Sequence, residues 1–268
     1  MFAAERIYGD KSLEEWIANI ENTWRDIPEY KVDSDRFRHL AVICDGNRRS
    51  AKQKGLEPYF GHRLGLEVIL GTMQACKKWG VRNLTFWTWS TENWKRDRAQ
   101  TNFVMDLAAT YLQDDQIVSK VIENEVRFRQ IGRSDRIPQA VREAIIRLEE
   151  KTVGFTEWSV NLALDYGGLD ELARASARMI EAGVVPEDIT ENPEILLNYL
   201  DTAGQPMPDL VIRTGTETGE VPHTSGFMPI QTAYSGWQFV PDLFPDLTPT
   251  KLVNCMRDFL EYEMRKGK

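Results

Sequence analysis

Short apolar runs rich in β-formers alternate with helical patterns along this chain, and that alternation is what most restricts its fold. Leu40 to Cys44 reads as a buried strand; Val81 to Trp89, Val126 to Ile131, Ser159 to Leu164 and Asp209 to Arg213 read the same way. Between them lie helical stripes. One carries Leu66, Ile69, Leu70, Met73 and Cys76; the next carries Phe103, Val104, Leu107, Ala108, Tyr111 and Leu112. Residues 135–151, 170–182, 190–200 and 249–265 continue the pattern, while 227–239 stays open between helix and strand. Strands separated by helices pair in parallel. The expected fold is a single α/β domain with a mainly parallel central sheet and helices on both sides.

Polar residues gather directly after these strands, at 45–49, 90–96, 165–168 and 213–226. Open parallel sheets bind ligands beyond the carboxyl ends of their strands, so the site is expected along that edge. The first cluster is His39-Leu-Ala-Val-Ile-Cys-Asp-Gly-Asn-Arg-Arg49. Turn chemistry at Asp45-Gly46-Asn47 follows the strand at once, and Arg48, Arg49, Lys52 and Lys54 fall on the first turns of a helix. This arrangement suits a phosphate–metal complex: cations and the helix dipole hold oxyanions, and the carboxylate takes a hard cation such as Mg²⁺. Taken alone, the stretch fits a plain βα turn with a solvated basic helix equally well. His62, after Gly61 at the next helix start, reads either as a structural histidine or as an anion contact beside the Asp45 loop.

Composition closes off several classes. With 268 residues, 42% hydrophobic and 28% charged, the chain can bury a sizeable core. A net charge of −8 argues against nucleic-acid binding. Three separated cysteines, no CxxC and three histidines argue against zinc and for reduced thiols in a cytoplasmic protein. No run reaches the ~18 apolar residues of a membrane span, and the first residues do not resemble a signal peptide. Residues 1–37 are expected to form an N-terminal amphipathic helix and linker ahead of a catalytic domain at 38–268. Ser12 and Glu15 make a capping box, and Leu13, Trp16, Ile17, Ile20 and Trp24 share one face. That helix either docks on the body, covers an apolar site as a lid, or touches a membrane surface.

Together these segments resemble the cis-prenyltransferases, the family of undecaprenyl and dehydrodolichyl diphosphate synthases. The resemblance rests on 39–49, Phe60-Gly-His62, Ser90-Thr-Glu-Asn-Trp-Lys-Arg96, Leu162-Ala-Leu-Asp-Tyr-Gly-Gly168 and Pro208-Asp-Leu-Val-Ile-Arg-Thr214, in order from about residue 38 to about 262. It implies condensation of isopentenyl diphosphate with an allylic diphosphate such as farnesyl diphosphate, Mg²⁺ as cofactor, a homodimer, an apolar tunnel for the growing chain, and a peripheral membrane contact for product release. By position, Asp45 would orient the metal and the allylic diphosphate. Gly46, Asn47, Arg48, Arg49 and His62 would cradle that diphosphate. Ser90, Glu92, Asn93, Trp94 and Arg96 would belong to a closing loop, with Asn93 catalytic. Arg213, His223 and Ser225 would hold the isopentenyl diphosphate. Phe103, Met105, Tyr111, Trp87 and Trp89 are candidates for the tunnel wall, each also readable as core.

The sequence also departs from the family pattern. The segment after Arg213 is about four residues longer, and its second arginine appears as His223. A glutamate that helps hold the metal in the family is Gly236 here; Glu217 and Glu220 are the candidates to replace it. Ser50 stands for a tryptophan of bacterial members, Pro58 for an arginine, and Asp165 and Leu169 for the Asn and Arg of Asn-Tyr-Gly-Gly-Arg. Such losses raise the alternative of a noncatalytic partner subunit, which the retained Asp45-Gly46-Asn47 opposes. A nucleotide-binding reading lacks any glycine-rich phosphate loop.

Overall fold

The apolar run after Arg38 is β1 (His39–Ile43), whose residues are all buried because both of its faces are covered. In the computed structural model, which describes residues 11–217 and 219–261, it is joined by β2 (Asn83–Ser90), β3 (Val126–Ile131), β4 (Trp158–Tyr166), β5 (Leu210–Arg213) and β6 (Gly236–Phe239). They form one six-stranded sheet, ordered β3-β4-β2-β1-β5-β6. Every neighbouring pair is parallel. The helices are α1 (Leu13–Arg25), α2 (Asn47–Gln53), α3 (Phe60–Trp79), α4 (Arg98–Tyr111), α5 (Asp115–Glu123), α6 (Gln139–Thr152), α7 (Gly168–Glu181), α8 (Pro186–Glu191) and α9 (Pro249–Glu261).

Strand β1 pairs with β2 on one side, Ile43 opposite Trp87, and with β5 on the other, Ile43 opposite Arg213. The chain leaves β1 toward β2 and returns to its other flank as β5. Loops from adjacent strand ends therefore diverge, and a crevice opens beyond Ile43 and Arg213.

Alternation along the strands divides the core. Leu40, Val42, Leu84, Phe86, Val160, Leu210 and Ile212 belong to the larger cluster, with residues of α3, α4, α6 and α9. Ala41, Ile43, Trp87, Ala163 and Val211 face the other way, against Tyr166, Phe227 and Met228. Helix α1 docks on α3: a Cβ at Gly71 would lie 2.4 Å from the Trp24 ring, so the indole occupies the space that the glycine leaves. Of the three readings of this helix, the docked one describes its position.

Several boundaries differ from the sequence pattern. Helix α6 begins only at Gln139, because Pro138 holds an extended backbone at its cap. The stretch 190–200 is split at Asn192-Pro193 into α8 and a 3₁₀ turn, Pro193–Tyr199. Helix α5, capped by the Asp114 carboxylate, is an addition to that pattern. Strand β4 runs on through Asp165 to Tyr166. The last helix is described to Glu261; 262–265 lie outside the described residues.

Candidate active site

Beyond the carboxyl ends of β1, β2 and β5 lies a cleft of about 990 Å³. Asp45, Gly46, Asn47, Arg48, Arg49, His62, Ser90, Glu92, Asn93, Arg96, Arg213 and Ser225 all line it. The loops that the sheet brings together thus supply most of the expected site. Lys52 and the α7 start at Gly167, Gly168, Leu169 and Asp170 line it as well. Trp94 and His223 are not on it. Trp94 packs edge-on against Trp89 with ring centroids 5.8 Å apart. His223 sits behind Arg213, whose Nη1 donates to the His223 carbonyl at 2.7 Å.

The centre is Asp45. One carboxylate oxygen accepts from the Gly46 N–H at 2.6 Å and the other from Arg213 Nη2 at 3.0 Å. Its own N–H donates to Thr214 Oγ1 at 3.0 Å, a support that the sequence motif contains but whose role it does not reveal. Gly46 turns the chain with φ +96°, and a Cβ there would meet Leu243 at 2.8 Å. Arg213 also donates to Ser225 Oγ at 2.8 Å. Arg49 Nη1 donates to Glu217 Oε1 at 2.7 Å and its Nη2 to the Gly215 carbonyl at 2.5 Å. Helix α2 is one short segment of seven residues, so the arginines rather than its dipole dominate the field here.

The remaining groups are tuned by burial and by each other. Burial pushes the His62 imidazole down to about 3, with Arg96 and Arg48 adding to the effect, so it is neutral. Its Nε2 has no partner. Burial, and then Arg48, lowers the Arg96 guanidinium, which lies 5.3 Å over the Trp89 ring. Asn93 Oδ1 accepts from the Ser90 N–H at 3.0 Å, so what Asn93 has left to offer is its NH₂, a donor and not a base.

Cys44, Asn47, His62 and Thr88 line the cleft and also an apolar cavity of about 160 Å³ behind it. Leu66, Ile69, Leu70, Met73, Val104, Tyr111 and Val121 wall that cavity. Leu70, Met73, Ile117 and Val121 line in addition an outer groove of about 580 Å³ that reaches Trp24 and Trp158. Of the expected wall residues only Tyr111 lines the cavity. Met105 is core, and Phe103 packs on Tyr59 and Phe60. A break in the β2–β4 register between Trp87 and Ser90 sends the two tryptophans to opposite faces. Trp87 stacks on Phe227 and Trp89 joins the larger core, and both border the cleft.

The departures find local explanations. Gly236 opens β6 opposite Leu210, at the end of the sheet away from the cleft, and a Cβ there would strike the Phe259 ring at 2.6 Å. A side chain at 236 would therefore not reach the Asp45 cleft of the same chain. Glu217 is engaged by Arg49, and Glu220 lies 3.7 Å from His223 Nε2. Fully buried Asp165 is held by Arg136 in a two-pronged pair at 2.5 and 2.9 Å. Buried Ser50 accepts from Lys54 Nζ at 2.8 Å. Among the described residues no group of three His, Cys, Asp or Glu could hold a metal alone. Asp45 still suits Mg²⁺: its side chain is 40% exposed in a cationic cleft, and Mg²⁺ commonly takes one or two carboxylates with waters and substrate phosphates.

Known proteins resemble this chain over most of its length. The prenyltransferase family model, described as putative undecaprenyl diphosphate synthase, matches residues 43–267. The isoprenyl transferase of Clostridium tetani is 35% identical over 244 residues, 89% of this chain and 92% of the relative. That of Helicobacter pylori is 35% identical over 232 residues, 86% of this chain and 97% of the relative. The structure of lavandulyl diphosphate synthase from Lavandula x intermedia with dimethylallyl diphosphate has a TM-score of 0.77 at 27% identity, covering 88% of this chain and all (100%) of that one.

Proposed function

The chain belongs to the undecaprenyl diphosphate synthase family of prenyltransferases, and on that premise we propose that it condenses isopentenyl diphosphate with an allylic diphosphate such as farnesyl diphosphate to a cis-polyprenyl diphosphate. It is an isoprenyl transferase of isoprenoid biosynthesis. The observation that carries the substrate assignment is the joining of a cationic cleft to an apolar cavity through Cys44, Asn47, His62 and Thr88. A diphosphate ester with a hydrocarbon tail has that same division of charge.

In this reading Arg48, Arg49 and Arg96 receive the allylic diphosphate, and Arg213 and Ser225 receive the isopentenyl diphosphate. The allylic C–O bond breaks with its electron pair passing to the diphosphate, whose growing charge the guanidinium groups stabilise. The isopentenyl double bond attacks the allylic carbon, and a proton then leaves the adjacent carbon. Asn93 is no base, so the departing diphosphate accepts that proton. Neutral His62 adds no positive charge where the allylic cation forms. Asp45 would hold Mg²⁺, which supplies further charge neutralisation to the leaving group. Arg96, packed on Trp89, lies on a loop suited to close over substrate and exclude water.

The working form in this reading is a homodimer with a peripheral membrane contact for product release. Exposed Leu169, Ile180 and Tyr234 are apolar surface for such contacts. Among the described residues no helix is long and apolar enough to cross a membrane. The partner-subunit alternative gains no support from a cleft whose Asp45 and Arg213 meet at 3.0 Å. The test is incubation of the purified chain with labelled isopentenyl diphosphate, farnesyl diphosphate and Mg²⁺, beside Asp45→Ala, with products sized by chromatography. Asp45-dependent elongation is expected. Absence of product with farnesyl, geranyl and dimethylallyl starters would overturn self-sufficient catalysis.

A further inference from the structure

Arg49 lines the cleft, yet both of its terminal nitrogens are already engaged by the loop after β5. Nη1 donates to Glu217 Oε1 at 2.7 Å, Nη2 donates to the Gly215 carbonyl at 2.5 Å, and Nη2 lies 3.7 Å from Asp45 Oδ1. Gly215 has φ +74°, and a Cβ there would meet Arg49 Nη2 at 2.7 Å, so the loop backbone is shaped around the guanidinium. Glu217 has its backbone N–H on Glu220 Oε2 at 3.1 Å, while its side chain is 69% exposed. The carboxylate thus approaches Arg49 from the solvent side, and the arginine is the partner that holds it there. Carboxylate and phosphate oxygens accept the same charge-assisted bonds from arginine.

We propose that Glu217 is a built-in competitor for substrate: its carboxylate holds Arg49 until a diphosphate oxygen takes its place. The inference rests on the reading above, in which Arg49 serves a diphosphate. Asp45 remains with Arg213 through the exchange, so only the Arg49–Glu217 pair opens. The pair carries a cost in affinity and a gain in selectivity. A monoanion must outcompete a carboxylate already in place, whereas a diphosphate brings more charge to the same cation. An exposed ion pair is weak, so its removal should tighten diphosphate binding on the order of two- to fivefold.

The experiment is calorimetric titration of the full chain with inorganic diphosphate in metal-free buffer, for the wild type, Glu217→Gln, Arg49→Ala and the double variant. Circular dichroism melts check that all four are folded. Glu217→Gln should bind about two- to fivefold more tightly than wild type, and the gain should vanish in the Arg49→Ala background. Equal or weaker binding by Glu217→Gln overturns the proposal, as does a gain that persists without Arg49, which would mark a general charge effect. If neither the wild type nor Glu217→Gln binds diphosphate, the reading of the cleft fails and takes this inference with it.

Discussion

At the scale of single residues, Asp165 shows how a change of charge is absorbed. A carboxylate that is fully buried needs a partner, and Arg136 provides two bonds to it. Arg136→Ala should therefore destabilise the fold by about 2–4 kcal/mol, because it strands the buried charge. Adding Asp165→Asn should recover most of that loss, since a neutral amide needs no cation. Urea unfolding of the three variants checks this; a double variant no better than Arg136→Ala would refute it. Two histidines predict a pH dependence. Burial lowers His39 to about 4 and His62 to about 3. Both folded values lie below the unfolded value near 6.5, so the unfolded chain binds more protons between them. The stability they contribute is full above about pH 6.5 and falls as pH drops toward 4 and 3, by on the order of 3–5 kcal/mol for each group. Thermal melts from about pH 7.5 to 4.5 should show this fall, and His39→Gln should remove about half of it, leaving the share that His62 contributes. Asp45 and Arg213 were legible as site residues because a charge at the end of an apolar strand is unusual, and His62 because it opens a helix after Gly61. The support from Arg136 was not, because alone it reads as ordinary surface, and Thr214 was legible only as part of a motif and not for its bond to Asp45.

At the scale of elements, apolar periodicity located β1 to β5 and most of the helices, since each buries a face whose spacing is written in the sequence. What it could not locate are features set by neighbours. The irregular register of β2 against β4 depends on two strands at once, and it decides that Trp89 packs with the larger core while Trp87 joins Phe227 on the opposite face. Gly236 was legible only as a missing glutamate; its position at the far end of β6 follows from the sheet register. The seating of α2 on α3 is another such feature. A Cβ at Gly61 would come 1.9 Å from the Asn47 carbonyl oxygen, and one at Gly65 would come 2.5 Å from Asn47 Oδ1. Backbone cannot yield as a flexible side chain does, so Gly61→Ala must push apart the two helices that flank the Asp45 cleft. It should cost about 1–3 kcal/mol or more and weaken diphosphate binding in the same titration. A variant with wild-type stability and affinity would show that α2 and α3 can separate freely.

Over the whole molecule, the parallel sheet sends every polar strand end to one edge and leaves an apolar space behind it under α3, α4 and α5. In the proposed reaction that space would limit the length of the product. A cavity of about 160 Å³ is close to the volume that takes one benzene ring, ~150 Å³, so it holds little more than one five-carbon unit as it stands. A longer chain must pass the single layer of Leu70, Met73, Ile117 and Val121 into the outer groove toward Trp24 and Trp158. Met73 is flexible enough to yield, and in the short helix α5 only Val121 is buried. Passage between α3 and α5 therefore needs side-chain movement and no change of fold. Val121→Trp should plug this layer. Its product distribution, sized beside wild type from the same farnesyl starter, should lose the longest chains and shift toward lengths only a few units beyond the starter. An unchanged maximum length would mean that the chain leaves the cavity elsewhere, and the groove under α1 would then have no part in setting the product.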